Sequence, residues 1–152
     1  KQQQFGSSGG ALFDLLIHDV DFLNYALGSP DKIESVCYPG SLSMYDYVIA
    51  HWTYKDIKAK IEGGNTFHST FPFQAGYMAR FEDASVMYSS QVPQFIQVCT
   101  DEKVSQIYTG AANDGFYNEI DYFADCITSD SETLACTPES SLDTIRLCYS
   151  HI

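Results

Sequence analysis

Positive charge is scarce in this sequence. Lys and Arg number 8 against 20 Asp and Glu, a net charge of -12 over 152 residues. Binding to a nucleic-acid backbone needs clustered Lys and Arg to displace counterions, and docking on anionic membranes needs the same sign of charge. Neither nucleic acid nor membrane is therefore expected as a partner. Long apolar runs are also missing: no stretch of about 18 residues could span a bilayer. The opening KQQQFGSSGG has neither the apolar core nor the cleavage pattern of a signal peptide. The five cysteines (Cys37, Cys99, Cys126, Cys136 and Cys148) are odd in number and form no Cys-x-x-Cys. That pattern leaves a disulfide framework or zinc ribbon unsupported and predicts buried, reduced thiols in a cytoplasmic protein. There is no G-x-x-x-x-G-K-[ST] and no G-x-S-x-G. GSSGGA has the glycine content of a phosphate loop, but it follows KQQQF, which is no buried strand, so the chain carries no evident nucleotide site of its own.

What is present is an aromatic, half-apolar chain. Eleven Tyr and ten Phe accompany a 45% apolar composition, enough for the core of one compact domain. Residues 1–9 read as a flexible leading segment, and residues 10–152 as a single domain. The start at Lys1, without Met, suggests a processed product or a fragment.

The pattern of elements is helix, then strands, then two helices. GGALFDLLIHDVDFLNYALG is the first helix, with Leu12, Leu16, Leu23 and Leu27 near one face, a glycine stop at Gly28, and Pro30 beyond it. KIESVCY, YDYVIAHWTY and DIKAKIEGG read as strands, the last with Ile57, Ala59 and Ile61 on one side, and Lys55-Asp56 turns between the second and third. GYMARFE with SVMYSS and QFIQVCT with KVSQIYT read as two further hairpins, turning at Asp83-Ala84 and Asp101-Glu102. DGFYNEIDYFADCIT places Phe116, Ile120, Phe123 and Ile127 on one stripe. In TPESSLDTIRLCYSHI, Thr137 is the predicted N-cap, Pro138 the first helical residue, and Leu142, Ile145, Tyr149 and Ile152 the expected buried face. Successive short turns imply antiparallel pairing. The expected fold class is α+β: an open, mainly antiparallel β-sheet with helices packed on one face. The aromatic content of the sheet predicts that its other face pairs with another subunit.

The chemistry lies in the first helix. Asp14, His18 and Asp21 stand at i, i+4 and i+7, offsets that stack on one helical face, and Tyr25 continues the stripe. An imidazole beside carboxylates suits general acid/base work, because its unperturbed pKa of about 6.5 lets it take a hydroxyl proton near neutral pH. The same residues could instead be a favourable charge on the helix dipole, a satisfied core histidine and a solvated acid. A metal site is a third reading, and only three ligands are visible for it; no metal is expected. His51, His68 and His151 have no visible partners and are expected to be structural or exposed. Tyr117, Asn118 and Glu119 open the second helix and could line a cleft.

The residues Gly9, Gly10, Asp14, His18, Asp21, Gly28 and Pro30 follow the pattern G-G-x-x-x-D-x-x-x-H-x-x-D, then G-x-P. With the tail NEIDYFADCI…TPESSLDTIRL, the stretch from Gly9 to about Ile152 resembles the C-terminal domain of the glucose–fructose oxidoreductase / inositol dehydrogenase / rhizopine-catabolism (Gfo/Idh/MocA) family. The resemblance implies a glyceraldehyde-3-phosphate-dehydrogenase-like C-terminal domain that binds substrate and builds dimers or tetramers through its open sheet face. It implies an N-terminal Rossmann domain, absent from this chain, that binds NAD or NADP. By position it makes His18 the proton acceptor and Asp14 its assistant, the two catalytic residues. Substrate hydroxyls fall to Asp21, Tyr25, Tyr117 and Asn118, on a sugar, polyol or derivative.

Three departures from the family pattern stand out. No Glu-Lys-Pro, the family's lysine motif at the end of the Rossmann domain, occurs here, and the domain's opening strand is missing before Gly9. Leu15-Leu16 also follow Asp14 where the family often has a glycine. The isolated chain is thus expected to be inactive and not to bind NAD(H). The alternative is a non-catalytic regulatory protein of the same fold that senses a sugar or nucleotide.

Overall fold

In the computed structural model, residues 9–92, 94–110 and 114–152 are described, and the expected flexible segment falls almost wholly outside them. The chain divides into two compact units, Lys1–Ser69 with Leu134–Ile152, and Thr70–Thr133.

The first unit is built around the helix. Gly9 and Gly10 take φ of +93° and +81°, a region in which an L side chain is strained. A π-helical segment, Leu12–Leu16, runs directly into α1, Ile17–Leu27, which stops at Gly28 with its N–H on the Asn24 carbonyl at 2.9 Å. Leu12, Leu16 and Val20 are buried at intervals of four, and Leu23 packs beside them. Each such burial is worth roughly 1.5–3 kcal/mol. Leu27, expected on this face, is exposed, because the core side of the helix ends a turn earlier.

Strands β1 (Lys32–Tyr38), β2 (Tyr47–Thr53) and β3 (Lys58–Gly64) form an antiparallel sheet in the order β1-β2-β3. The turn at Lys55-Asp56 is closed by Tyr54 N–H on the Ile57 carbonyl at 3.0 Å. Ile57 lies outside the strand and is exposed, so the inward run of β3 is Ala59, Ile61 and Gly63. Side chains alternate by period two. Val48, Ala50, Trp52 and Ile61 point into the core, where Trp52 is the largest fully buried side chain.

The last helix of the chain, Pro138–Tyr149, starts as expected: Thr137 Oγ1 accepts from Ser140 N–H at 3.2 Å and Pro138 opens the first turn. Its buried face is not the expected one. Leu142, Ile145, Tyr149 and Ile152 are exposed, while Thr144, Cys148 and the following His151 are buried. The helix is turned so that its small and polar side meets the first helix and the sheet.

The second unit holds β4 (Gly76–Arg80), β5 (Ser85–Ser89), β6 (Phe95–Cys99) and β7 (Val104–Tyr108), paired in that order and all antiparallel. The seven strands thus lie in a three-stranded and a four-stranded sheet. The two turns fall at the expected residues, closed by Phe81 N–H on the Ala84 carbonyl at 2.7 Å and by Thr100 N–H on the Lys103 carbonyl at 2.9 Å. Cross-strand ring pairs, Tyr77 with Tyr88 and Phe95 with Tyr108, each 5.8 Å apart, reinforce the register.

Here α2, Asp114–Thr128, carries the expected stripe, but Phe116, Ile120, Phe123 and Ile127 are 57–70% exposed; among the described side chains of this helix only Cys126 is buried. In order, the final helix is α3. All five cysteines are free; Cys126 and Cys148 are buried as expected, whereas Cys37 and Cys99 are only half-buried and Cys136 is exposed. Among the described residues no helix is long and apolar enough to cross a membrane.

Candidate active site on the first helix

The start of the first helix has no side-chain cap of its own. Asp46, from the loop before β2, does that work. Its buried carboxylate accepts from Leu42 N–H at 2.8 Å, Ser43 N–H at 3.1 Å and Ser43 Oγ at 2.7 Å, and from the Ala11 amide at the helix start. Burial pushes this carboxyl up, but the Ser43 hydroxyl and the three amides together outweigh it and hold it below the usual carboxylate range. A negative charge at a helix N-terminus also suits the dipole. Leu12 N–H goes to the Tyr45 carbonyl at 3.2 Å. The need for glycine at position 10 follows, because a Cβ there would overlap the Ser43 hydroxyl that serves Asp46.

The loop thereby sets the phase of the helix, and with it the titratable stripe. Asp14 lies within the π-helical segment and is half-buried. His18 and Asp21 are exposed on the first turns of α1, and Tyr25 is 89% exposed a turn later. Among the described residues neither the Asp14 carboxylate nor the His18 ring has a hydrogen-bond partner, so both are free to meet a ligand. Asp21 is held: Thr144 Oγ1, from α3, donates to its Oδ1 at 2.6 Å.

Two titrations bear on the site. Loss of solvent raises the Asp19 carboxyl, partly offset by the charge of adjacent His18. Burial, helped by the Asp21 charge, pushes the Cys148 thiol up to about 11. Leu16 is buried, and Gly63 on β3 makes room for it: a Cβ at Gly63 would overlap the leucine's Cδ1.

Tyr117 and Asn118 lie in the second unit, exposed on the early turns of α2. His51 is exposed on β2 and His68 is exposed after β3. His151 is buried and fully engaged. Its Nε2 accepts from Trp52 Nε1–H at 2.9 Å, Nδ1–H donates to the Leu147 carbonyl at 2.8 Å, and its own carbonyl accepts from Ser35 Oγ at 2.5 Å. Because an indole only donates, Nε2 carries no proton and the ring is neutral. Sequence reasoning missed Asp46, Asp19 and Thr144. Asp46 had a local signal, a Ser three residues before an acid in a glycine-containing loop; Thr144 had none.

No family model and no curated protein sequence matches the chain. Solved structures do. The chain is similar to UDP-N-acetylglucosamine 3-dehydrogenase GnnA from Acidithiobacillus ferrooxidans, at 15% identity and TM-score 0.78 over 92% of this chain and 45% of that one. It is similar to the dehydrogenase MviM from Clostridium difficile, at 14% identity and TM-score 0.75 over 98% and 48%. It is also similar to levoglucosan dehydrogenase in complex with NADH and levoglucosan, at 14% identity and TM-score 0.76 over 93% and 47%. The fold is that of a Gfo/Idh/MocA dehydrogenase C-terminal domain. The chain spans about half the length of the structures it matches. In this domain the first helix presents Asp14, His18, Asp21 and Tyr25 away from the core that Leu12, Leu16 and Val20 occupy.

Proposed function

We propose that this chain is the substrate-binding and subunit-contact domain of an NAD(P)-dependent Gfo/Idh/MocA oxidoreductase acting on a sugar, a polyol or a derivative. The observation that carries the reading is the division of the first helix: an apolar face locked into the core, and an accessible face bearing Asp14, His18 and Asp21. Fold likeness to sugar dehydrogenases, one of them solved with NADH and levoglucosan, supports it.

In this reading a substrate hydroxyl donates to His18, which takes its proton as the carbon–hydrogen bond breaks and a carbonyl forms. NAD(P), bound by a Rossmann half outside this chain, supplies the hydride acceptor. Exposure of His18, with Asp14 only half-buried beside it, fits a cofactor and substrate that approach from outside this domain. Asp14, one turn before His18, orients the imidazole and stabilises its protonated form. Asp21 and Tyr25 hold the remaining hydroxyls. The exposed sheet faces, with Val36 and Tyr38 in one unit and Met78 and Met87 in the other, are the surfaces through which subunits associate.

The test is turnover by the polypeptide extended to include the nucleotide-binding half, measured as NADH or NADPH formation on a panel of sugars and polyols. Substituting His18→Ala should lower turnover by about 10²–10⁴-fold, as expected for a lost general base. An extended protein that binds sugars without turnover would favour the sensing alternative, and full activity of His18→Ala would refute the assignment. The isolated chain should show no NADH binding by calorimetry.

A further inference from the structure

One hydrogen bond ties the last helix of the domain to the candidate site. Thr144 is 3% exposed, yet its hydroxyl reaches across from α3 to Asp21 on α1, 123 residues earlier in the chain, at 2.6 Å. A threonine inside a helix ordinarily turns its hydroxyl back to a carbonyl of the preceding turn. This one serves a carboxylate on another helix instead.

The consequence for Asp21 is orientational. The terminal torsion of an aspartate is broad, so an exposed carboxylate samples many planes unless one oxygen is held. Thr144 holds Oδ1. Oδ2 and the remaining lone pair of Oδ1 stay available to an incoming hydroxyl.

The donor is itself well fixed. The helix that carries it is capped by Thr137 at one end. At the other end it is pinned by His151 between Leu147 and Trp52, and Tyr149 packs its ring 5.0 Å from Phe13. A turn beyond Thr144, Cys148 lies within the field of the same carboxylate; its thiol, raised to about 11, stays uncharged and does not repel it.

We propose that Thr144 is a positioning residue for the substrate site, setting the plane of the Asp21 carboxylate so that its free oxygen meets a hydroxyl of the bound sugar or polyol. This rests on the reading of the chain as an oxidoreductase domain. Thr144 touches no substrate; it acts through Asp21.

The experiment uses the extended, active protein. Thr144→Val preserves shape and removes the donor. Its KM for the sugar should rise about 5–20-fold, the equivalent of one hydrogen bond to a charged group, while kcat changes by less than about twofold. Thr144→Ser should return KM to within about twofold of wild type. In an Asp21→Ala background, which removes the acceptor, Thr144→Val should add nothing further to KM, because the two act through one contact. A purely structural threonine would lower the melting temperature of Thr144→Val and leave KM unmoved, and that result overturns the proposal. Should Thr144→Val fail to fold, Asp21→Asn decides alone: an unchanged KM in that variant overturns the proposal as well. Wild-type turnover with an unmoved KM sinks only the positioning role, whereas a wild type without turnover on any sugar sinks the oxidoreductase reading and this inference with it.

Discussion

Acid should loosen the domain at His151. The ring is buried, accepts from a donor-only indole and donates to a backbone carbonyl, so its protonation would set N–H against N–H at Trp52. Burial accordingly lowers its pKa below the usual value of 6.5, with the backbone acceptors at Leu147 and Cys148 opposing only in part. The unfolded chain takes up the proton at about pH 6.5, and the folded one does not until a lower pH. A group with a depressed folded pKa contributes stability that is complete above the unfolded value and is lost as pH falls from there toward the folded value. In that window one proton separates the two states, so stability falls by up to about 1.4 kcal/mol per pH unit.

The assay is urea unfolding at several pH values between about 7.5 and 5.5, wild type against His151→Gln. Glutamine retains an acceptor for the indole but cannot titrate. At the upper end the variant should be less stable by about 1–3 kcal/mol, through the lost Leu147 bond and imperfect packing. The difference between the two proteins should shrink as the pH falls, because only the wild type loses the neutral ring's advantage. A difference that stays constant across the window would show that His151 titrates alike in both states, and the clasp argument would be wrong.

Two further substitutions probe the scaffold under the site. Replacing Asp46 with Ala leaves the Leu42, Ser43 and Ala11 amides without their acceptor and should cost about 3 kcal/mol, read as a fall in the urea midpoint. Because the Asp46 carboxyl is held below its usual range, its contribution is present above about pH 4 and disappears as pH falls through the folded value. Replacing Gly63 with Ala drives a methyl group into Leu16 and should destabilise by about 1–3 kcal/mol as an overpacked core. Combining it with Leu16→Ala should recover part of that loss, and thermal melts that show strict additivity would exclude the contact.

The elements were legible in the sequence because their signals are local. The alternation in DIKAKIEGG, the turns at Lys55-Asp56, Asp83-Ala84 and Asp101-Glu102, the Gly28 stop and the Thr137-Pro138 start each depend on a few neighbouring residues. The stripe of Asp14, His18 and Asp21 was legible for the same reason, since helical spacing alone puts it on one face. Which face of a helix is buried was less legible. In α3 the apolar residues Leu142, Ile145, Tyr149 and Ile152 predicted one answer, and Thr144, Cys148 and His151 supplied another. The polar face won because its partners were waiting elsewhere in the chain: Asp21 for the hydroxyl of Thr144, and the indole of Trp52 for the ring of His151. Neither partner lies within 90 residues of the group it satisfies, beyond the reach of any local pattern.

By itself, then, the sequence determined the order and kind of the helices and strands, that the strands pair antiparallel, and which helix bears an imidazole among carboxylates. Those follow from backbone periodicity, turn chemistry and charge spacing, which act over a few residues. The tertiary structure alone decided that Asp46 caps the first helix, that Gly63 yields space to Leu16, that His151 is a neutral clasp rather than an exposed end, and that Asp21 is held by Thr144. Each of those depends on two groups far apart in the chain meeting at hydrogen-bond or van der Waals distance, and that meeting exists only once the sheet and helices have packed.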